Sequence, residues 1–198
     1  MYYSLEEKAK RFARHMHYQS GQRRKYSNAP YIVHPQAVAE LVRTTGADET
    51  LLAAAWLHDT LEDTPATFAQ LQRLFGHRIA VIVHMLTNPD MAESGTRQQR
   101  ITCCLQHTVR ASAEAQTIKL ADIIDNTKDI VDNDPVFAAI YLVEKQIQIG
   151  LLCEGNPQLR AQAELQIKFN INRLSRHPYN ISASWFRQQA KKYRPFSG

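Results

Sequence analysis

Residues 51–57 read LLAAAWL, a segment that is apolar in every direction if it forms a helix. A helix without a polar side has no face to turn to water, so it must be buried between other elements. Gly46 ends the preceding segment and Asp48 is placed to cap a new helix, which we predict over residues 49–62. We therefore expect the fold to be built around this helix.

Helical spacing of apolar residues recurs through most of the sequence, and no alternating run is long enough to predict a strand. Besides 49–62, helices are predicted at about 4–19, 35–45, 67–75, 77–87, 96–110, 115–130, 136–153, 157–175 and 182–193. We therefore predict an all-α fold, a bundle of roughly eight to ten helices. Residues 1–154 are expected to form one domain, and residues 155–198 a helical extension packed on it or flanking it.

The composition indicates an ordinary globular protein, with 44% hydrophobic and 22% charged residues. No apolar run approaches the ~18–20 residues of a membrane span, and the first residues lack the apolar stretch of a secretory signal. The three cysteines, Cys103, Cys104 and Cys153, are too few and too irregular for a disulfide framework. We therefore expect a cytoplasmic protein.

The net charge of +5 is unevenly distributed. From Gly155 onward there are eight Lys and Arg residues against one acid, Glu164, which leaves residues 1–154 at about −2. Such a basic segment can contact nucleic acid, the ribosome or a membrane surface. A solvated helical face or a packing extension is the simpler interpretation, and it is the one we favour.

The buried helix is predicted to end in charged groups, His58 and Asp59. Adjacent helical residues point about 100° apart, so both reach one ion only if it lies between their directions near a helix end. Borderline divalent metals accept imidazole and carboxylate together. His34, before Pro35, and Asp122, within the apolar segment IKLADII, are candidates for the remaining ligands. Two His and two Asp would leave coordination positions open, as in catalytic sites.

Glu62 and Asp63 lie one helical turn beyond the His-Asp pair and face the same region. Acids in this position can orient or deprotonate a water, or protonate a leaving group. Asn126 lies one turn beyond Asp122, and could bridge to that residue or to a substrate. The basic loop 23–25 precedes His34 by about ten residues and suits a polyanionic substrate.

Each of these features has a structural alternative when taken alone. A His-Asp pair is a weak signal, a buried Asp is usually a hydrogen-bonded structural acid, and a basic loop is usually solvated. Taken together they favour a metal-dependent phosphohydrolase, because each group accounts for the costly burial of another.

The order of the motifs RRK, YIVHP, AWLHDTLEDT and IKLADIIDN resembles the hydrolase domain of the RelA/SpoT family, over about residues 1–150. The likeness is greatest to the small stand-alone hydrolases that degrade (p)ppGpp. The resemblance implies an HD-type helical domain around one Mn²⁺, here in residues 1–154. It implies metal ligation by His34, His58, Asp59 and Asp122, and water handling by Glu62 and Asp63. Substrate contacts would come from Arg24, Lys25, Asn126 and Tyr141, with Arg97 and Arg100 as further candidates.

The chain departs from the family pattern after Asp122. Where the family has RLHN, this sequence has IIDN, so Ile123 and Asp125 replace an Arg and a His, and Lys128 follows Thr127. We expect this loss of basic residues to change substrate affinity or regulation rather than metal binding. The extension after residue 155 is too short for the synthetase domain of the family, so the chain is expected to be a hydrolase only.

The predicted function is the removal of pyrophosphate from the 3′ position of ppGpp or pppGpp, giving GDP or GTP. A related nucleotide phosphatase, acting on the 2′-phosphate of NADPH or on adenine alarmones, is one alternative. A non-catalytic alarmone-binding regulator is another. The expected partner is a small nucleotide, and neither a membrane nor nucleic acid is expected. The ligand types alone would also allow Fe²⁺, Co²⁺ or Zn²⁺. The sequence leaves the oligomeric state open.

Overall fold

The computed structural model describes residues 3–89 and 95–193, and every structural statement below concerns these residues. They form ten helices of eight or more residues and two short helices of four residues each. In chain order the helices are α1 (Leu5–Gln19), α2 (Val33–Arg43), α3 (Glu49–Leu57), α4 (Thr60–Asp63), α5 (Phe68–Phe75), α6 (His77–Leu86), α7 (Arg97–Val109), α8 (Ala113–Thr127), α9 (Ile130–Asn133), α10 (Pro135–Leu151), α11 (Pro157–Leu174) and α12 (Ala183–Lys191).

The predicted all-α class is confirmed. No strand occurs in the described part of the chain, where one isolated bridge joins Arg23 to Pro30 across the loop between α1 and α2. None of the described helices combines the length and the apolar character needed to cross a bilayer.

Most of the longer helices begin where the sequence provides a side-chain cap. At these positions a short polar side chain accepts a hydrogen bond from a backbone N–H of the first turn, which would otherwise lack a partner. The capping residues are Ser4, Asp48, Thr67, Thr96, Ser112, Asp134, Asn156 and Ser182. The predicted cap at Asp48 is among them. Local chemistry therefore determines where these helices begin.

The apolar helix α3 lies at the centre of the fold, as predicted. All residues from Leu52 to Leu57 are buried, and α3 packs against α1, α2 and α6. On its far side α2 packs against α8, which in turn contacts α6, α10 and α11. Helix α2 therefore lies between α3 and α8 and contacts both of them.

The predicted helix 49–62 is interrupted in the structure. Helix α3 ends at Leu57, His58 and Asp59 form a turn, and α4 resumes at Thr60. The Thr60 hydroxyl donates to the Leu57 carbonyl at 2.7 Å, which satisfies a carbonyl at the end of α3. At this turn the side chains of both His58 and Asp59 approach His34 of α2.

The basic extension is packed on the rest of the protein. Helix α11 contacts α8 and α10, and its Leu159, Ala163, Ile167 and Leu174 belong to the same hydrophobic core as α3. Helix α12 packs on α10 through the buried Phe186. Several basic residues of the extension are exposed, including Lys168 and Arg176, and the half-buried Arg173 pairs with Asp132. A division of the chain at residue 154 remains a prediction.

Candidate active site

Three separate segments bring the predicted metal ligands together. His34 is the second residue of α2, His58 and Asp59 form the turn after α3, and Asp122 lies in the middle of α8. Because α2 packs against both α3 and α8, these side chains converge although they are far apart in sequence. Both imidazoles are almost completely buried, and the two carboxylates are mostly buried.

The atoms that could bind a cation lie within a few ångströms of one another. The Nε2 atoms of His34 and His58 are 3.3 Å apart. Oδ2 of Asp59 lies 3.5 Å from the first of these nitrogens and 3.1 Å from the second. His34, His58 and Asp59 each offer an atom within 4.8 Å of the other two. Oδ1 of Asp122 joins this group at 3.2 Å from His34 Nε2 and 4.0 Å from His58 Nε2.

The hydrogen bonds of the two imidazoles fit a metal centre. His58 Nδ1 donates to the carbonyl of Ala55 at 2.9 Å, and His34 Nδ1 lies 2.6 Å from Oδ2 of Asp125. Burial lowers the pKa of His34, but the hydrogen bonds and charges of Asp122 and Asp125 outweigh it and raise that pKa to about 9, so a cation would displace a proton from Nε2. Once only Nδ1 carries a proton, Nε2 of each ring presents its lone pair to the other ring and to the carboxylates. Facing lone pairs and carboxylate oxygens repel unless a cation lies between them, and these donors suit a divalent ion. This cluster is therefore a candidate metal site.

Electrostatics keep the two carboxylates charged. Burial raises the pKa of Asp59, but the neighbouring charge and hydrogen bond of His58 outweigh it and hold the pKa below the usual value. Burial likewise opposes ionisation of Asp122, and Lys119 and His34 lower its pKa well below the usual range. Metal binding requires ionised carboxylates, so this arrangement prepares both residues to bind a cation.

The cluster is surrounded by groups that fix its carboxylates. Tyr31 donates its hydroxyl to Oδ2 of Asp59 at 2.7 Å. Lys119 Nζ lies 2.9 Å from Oδ2 of Asp122, and Asn126 Nδ2 donates to Oδ1 of Asp122 at 2.5 Å. Such supporting contacts orient metal ligands and hold their geometry. The Asp122–Asn126 contact follows the predicted one-turn spacing, whereas Tyr31 and Lys119 were not predicted as site residues.

Asp125 is a third supporting residue that the sequence did not predict. It was treated only as the replacement of a family histidine, yet its carboxylate contacts His34 Nδ1, Lys128 Nζ at 2.6 Å and Arg24 Nη2 at 3.4 Å. Burial raises the pKa of Asp125, but the hydrogen bonds and charges of His34 and Lys128 outweigh it and lower that pKa. The available signal was a carboxylate in an apolar helix three residues after Asp122, which places both acids on one face.

We expect Asp125→Asn to weaken metal binding by about 10- to 100-fold, because the charged partner that orients His34 and makes it a stronger ligand is lost. Calorimetric titration of metal-free protein with Mn²⁺ measures this change. Asp132→Asn is the matched control, since Asp132 is exposed and pairs with Arg173 away from the cluster. An affinity of the Asp125 variant equal to that of the control would show that Asp125 does not support the site.

The predicted acidic pair lies next to the cluster. Asn88 holds Glu62 by donating from its backbone N at 3.1 Å and its side-chain Nδ2 at 2.9 Å. Asp63 follows it, and its backbone N donates to the Asp59 carbonyl at 2.9 Å. Burial, together with the charges of Asp59 and Glu62, raises the pKa of Asp63 to about 6. A carboxyl with such a pKa exchanges protons readily near neutral pH.

A cavity of about 350 Å³ lies beside the cluster, on the side of Tyr31 and Asn126. This volume is within the range of small-molecule sites. Cationic and aromatic side chains dominate its lining, which consists of Arg23, Arg24, Lys25, Tyr26, Ser27, Tyr31, Asn126, Asp129, Ile130, Phe137 and Tyr141. The four predicted substrate residues Arg24, Lys25, Asn126 and Tyr141 are among them.

The basic residues of the cavity are held in place by contacts across the fold. Arg24 Nη1 donates to Oδ1 of Asn126 at 3.0 Å, which links the loop after α1 to α8. Lys25 Nζ lies 3.4 Å from Oδ2 of Asp134 and 5.1 Å from the ring centre of Phe137. Phe137 stacks on Tyr141 with ring centres 5.2 Å apart. Phe137 and Tyr26 were not predicted, because an aromatic residue at helical spacing or in a loop does not by itself indicate a cavity.

The remaining arginines lie elsewhere. Arg97 is not among the described residues that line the cavity, and its Nε and Nη2 atoms both donate to the carboxylate of Glu144 at 2.8 Å. Arg100 donates to the carbonyl of Gly95 at 2.6 Å on the exposed surface. A contact of Arg97 with substrate therefore remains a prediction.

Comparison with known proteins identifies the family to which the chain belongs. The HD domain profile matches residues 9–139. A guanosine-3′,5′-bis(diphosphate) 3′-pyrophosphohydrolase of Drosophila melanogaster is 35% identical over 117 residues, which cover 58% of this chain and 64% of that protein. One of the same description from Xenopus tropicalis is 36% identical over 125 residues, which cover 62% of this chain and 67% of that protein. The chain thus matches just under two thirds of the Drosophila relative.

A solved structure is also similar over most of its length. It is that of a metazoan ortholog of SpoT described as hydrolysing ppGpp, and it is 28% identical, with a TM-score of 0.72. The match covers 87% of this chain and 97% of that one. A protein of Listeria monocytogenes, 22% identical with a TM-score of 0.60, shares the fold. The HD domain profile matches about two thirds of this chain, and the His-Asp pair of His58 and Asp59 lies at the centre of the buried cluster. The chain therefore belongs to the HD-domain family.

Proposed function

We propose that this protein is a metal-dependent pyrophosphohydrolase that removes the 3′-diphosphate of ppGpp and pppGpp, giving GDP or GTP and pyrophosphate. The observation that carries the proposal is the His34, His58, Asp59 and Asp122 cluster beside a cavity lined with cationic and aromatic side chains. The names of the Drosophila and Xenopus relatives and of the structural neighbour support this substrate. All three cysteines are free, as in a reducing compartment, and we place the activity in the cytoplasm.

Mn²⁺ is the proposed metal, held by the four clustered side chains. A divalent ion bound there would supply Lewis acidity and lower the pKa of a water molecule. The chemistry of the donors fits a borderline ion, because two imidazole nitrogens and two ionised carboxylates meet within a small volume. The choice of Mn²⁺ among such ions follows the RelA/SpoT resemblance.

The cavity provides the groups that a guanosine nucleotide with two diphosphates requires. The rings of Tyr26, Phe137 and Tyr141 offer flat apolar surface for a base. The side chains of Arg23, Arg24 and Lys25 surround the same space and can pair with phosphate oxygens. Asn126 contacts both Arg24 and Asp122, so a nucleotide held by Arg24 would lie next to the metal cluster.

The reaction develops negative charge on the phosphate oxygens and requires two proton transfers, all between the metal cluster and the cavity. A water oxygen attacks the phosphorus bound to the ribose 3′ oxygen, the bond between that phosphorus and the 3′ oxygen breaks, and pyrophosphate leaves. The water gives up a proton, and the 3′ oxygen takes one to become a hydroxyl. Asp63, with a pKa of about 6, is suited to accept the proton of the water, and Glu62 to orient it. Arg24 and Lys25 counter the charge that develops on the phosphate oxygens.

A panel of nucleotides tests the proposal. Protein purified without chelator and supplied with Mn²⁺ is assayed side by side with ppGpp, pppGpp, NADPH and an adenine alarmone. We expect pyrophosphate and GDP or GTP from the guanosine substrates, and loss of turnover after treatment with EDTA. Release of inorganic phosphate from NADPH alone would replace this function with that of a 2′-phosphatase. Calorimetric binding of ppGpp without turnover would make the protein an alarmone-binding regulator.

A further inference from the structure

The buried carboxylate of Glu144 joins three parts of the fold outside the metal cluster. This residue of α10 is only 3% exposed, yet it receives two hydrogen bonds of 2.8 Å from Arg97, the first residue of α7. Its Oε1 also accepts a hydrogen bond of 2.7 Å from the hydroxyl of Tyr193, just beyond α12. A buried charge is stable only with partners of this kind, so the three side chains depend on one another.

A second contact closes the same junction. Gln98 Nε2, next to Arg97, donates to the backbone carbonyl of Lys192 at 2.5 Å. Lys192 and Tyr193 of the C-terminal extension are thus attached to two neighbouring sites, Gln98 at the beginning of α7 and Glu144, which binds Arg97. Arg97 and Gln98 both lie at the very start of α7, whose own backbone begins with the Thr96 cap.

This junction contacts the aromatic wall of the cavity, which we define as the stacked rings of Phe137 and Tyr141. The guanidinium carbon of Arg97 lies 5.2 Å from the ring centre of Phe137, which stacks on Tyr141. Phe137, Tyr141 and Glu144 follow one another at spacings of four and three residues on α10, so they lie along one helical face. A shift of Arg97 therefore changes the surface against which the Phe137 ring is held.

We propose that Tyr193 is a positioning residue for the substrate cavity. By binding Glu144 it fixes Arg97 against Phe137, and so sets the aromatic wall on which the nucleotide base would lie. The C-terminal extension then belongs to the substrate site although none of its described residues lines the cavity. This inference rests on the proposed function. In this inference Arg97 stabilises the aromatic wall, while its guanidinium donates two hydrogen bonds to Glu144.

The first test is Tyr193→Phe, which removes one hydroxyl and keeps the ring. We expect the KM for ppGpp to rise about fivefold while kcat stays within about twofold. This is less than the full effect of one hydrogen bond to a charged group, because Tyr193 acts on the substrate only through Glu144 and Arg97. A change in KM alone indicates altered binding of substrate and transition state alike. Tyr179→Phe is the matched control, since Tyr179 is a partly exposed tyrosine of the same extension. An unchanged KM in the Tyr193 variant would overturn the inference.

A cycle of variants tests whether Tyr193 acts through Arg97. Arg97→Lys keeps the charge but cannot form the two parallel hydrogen bonds, so it should raise KM by a similar factor. In that background Tyr193→Phe should add less than about twofold, because coupled residues are not additive. Fully multiplicative effects would show that Tyr193 acts independently of Arg97 and would contradict the proposal.

Amide hydrogen exchange makes the result independent of the substrate. In the Tyr193→Phe variant we expect faster exchange in residues 137–144 than in the Tyr179→Phe control, because the hydrogen bond that holds Glu144 of this helix is lost. Equal exchange in both variants would overturn the inference even if the enzyme is active. A wild-type protein that does not hydrolyse ppGpp would refute the proposed function alone, and the exchange data would then decide about the junction.

Discussion

His58→Ala should abolish nucleotide hydrolysis, with a loss of at least about a thousandfold in kcat. The imidazole contributes one of the clustered donors, at 3.3 Å from His34 Nε2 and 3.1 Å from Asp59 Oδ2, so its removal opens the cation site on one side. Electrostatic stabilisation by a bound metal is worth several kcal/mol, and about 4 kcal/mol corresponds to a thousandfold in rate. Initial rates of pyrophosphate release from ppGpp, with Mn²⁺ in excess, measure the effect.

His15→Ala is the matched control for this variant, because His15 is exposed on α1 and lies outside the cluster. It should keep full activity. Circular dichroism of both proteins separates a lost metal ligand from a lost fold. If folded His58→Ala protein retained more than about a tenth of the wild-type rate, the site would be wrongly assigned.

Asp63→Asn should lower kcat by about 10²- to 10⁴-fold while Mn²⁺ affinity stays within about threefold. The substitution preserves the shape of the side chain but removes its ability to accept a proton. Asp63 is separate from the four clustered donors, so the metal should remain bound. Steady-state kinetics with ppGpp and calorimetric titration with Mn²⁺, carried out on the same preparation, measure the two effects.

The combination of the two measurements distinguishes the role of Asp63 from that of a ligand. A parallel loss of metal affinity would place Asp63 in the metal shell, and an unchanged kcat would remove it from the reaction. Asp132→Asn again provides the control, with no change expected in either quantity, since Asp132 is exposed and pairs with Arg173.

The architecture could be predicted because the sequence patterns that indicate helices involve residues close together in the chain. The all-round apolar segment 51–57 indicated a central helix, and α3 is indeed buried and packed against α1, α2 and α6. Capping residues such as Asp48 indicated where helices begin. The interruption at His58 could not be predicted in this way, because the helical pattern of the sequence continues through it.

The candidate site was accessible from sequence only in part. The position of His34 before Pro35 and that of Asp122 in an apolar segment made them candidates to join His58 and Asp59, and the structure brings these residues within a few ångströms of one another. The supporting contacts were missed because they join residues distant in sequence. Tyr31 reaches Asp59 across 28 positions, and Asp125 reaches His34 across 91. The pairing of Arg97 with Glu144 was missed for the same reason, since nothing near Arg97 in sequence indicates its partner.

Anomalous diffraction at the manganese absorption edge, from crystals grown with Mn²⁺, tests the central claim most directly. The claim requires a single strong peak between Nε2 of His34, Nε2 of His58 and the carboxylates of Asp59 and Asp122, within coordination distance of these donors. No peak at this position, or a peak coordinated by other residues, would contradict it.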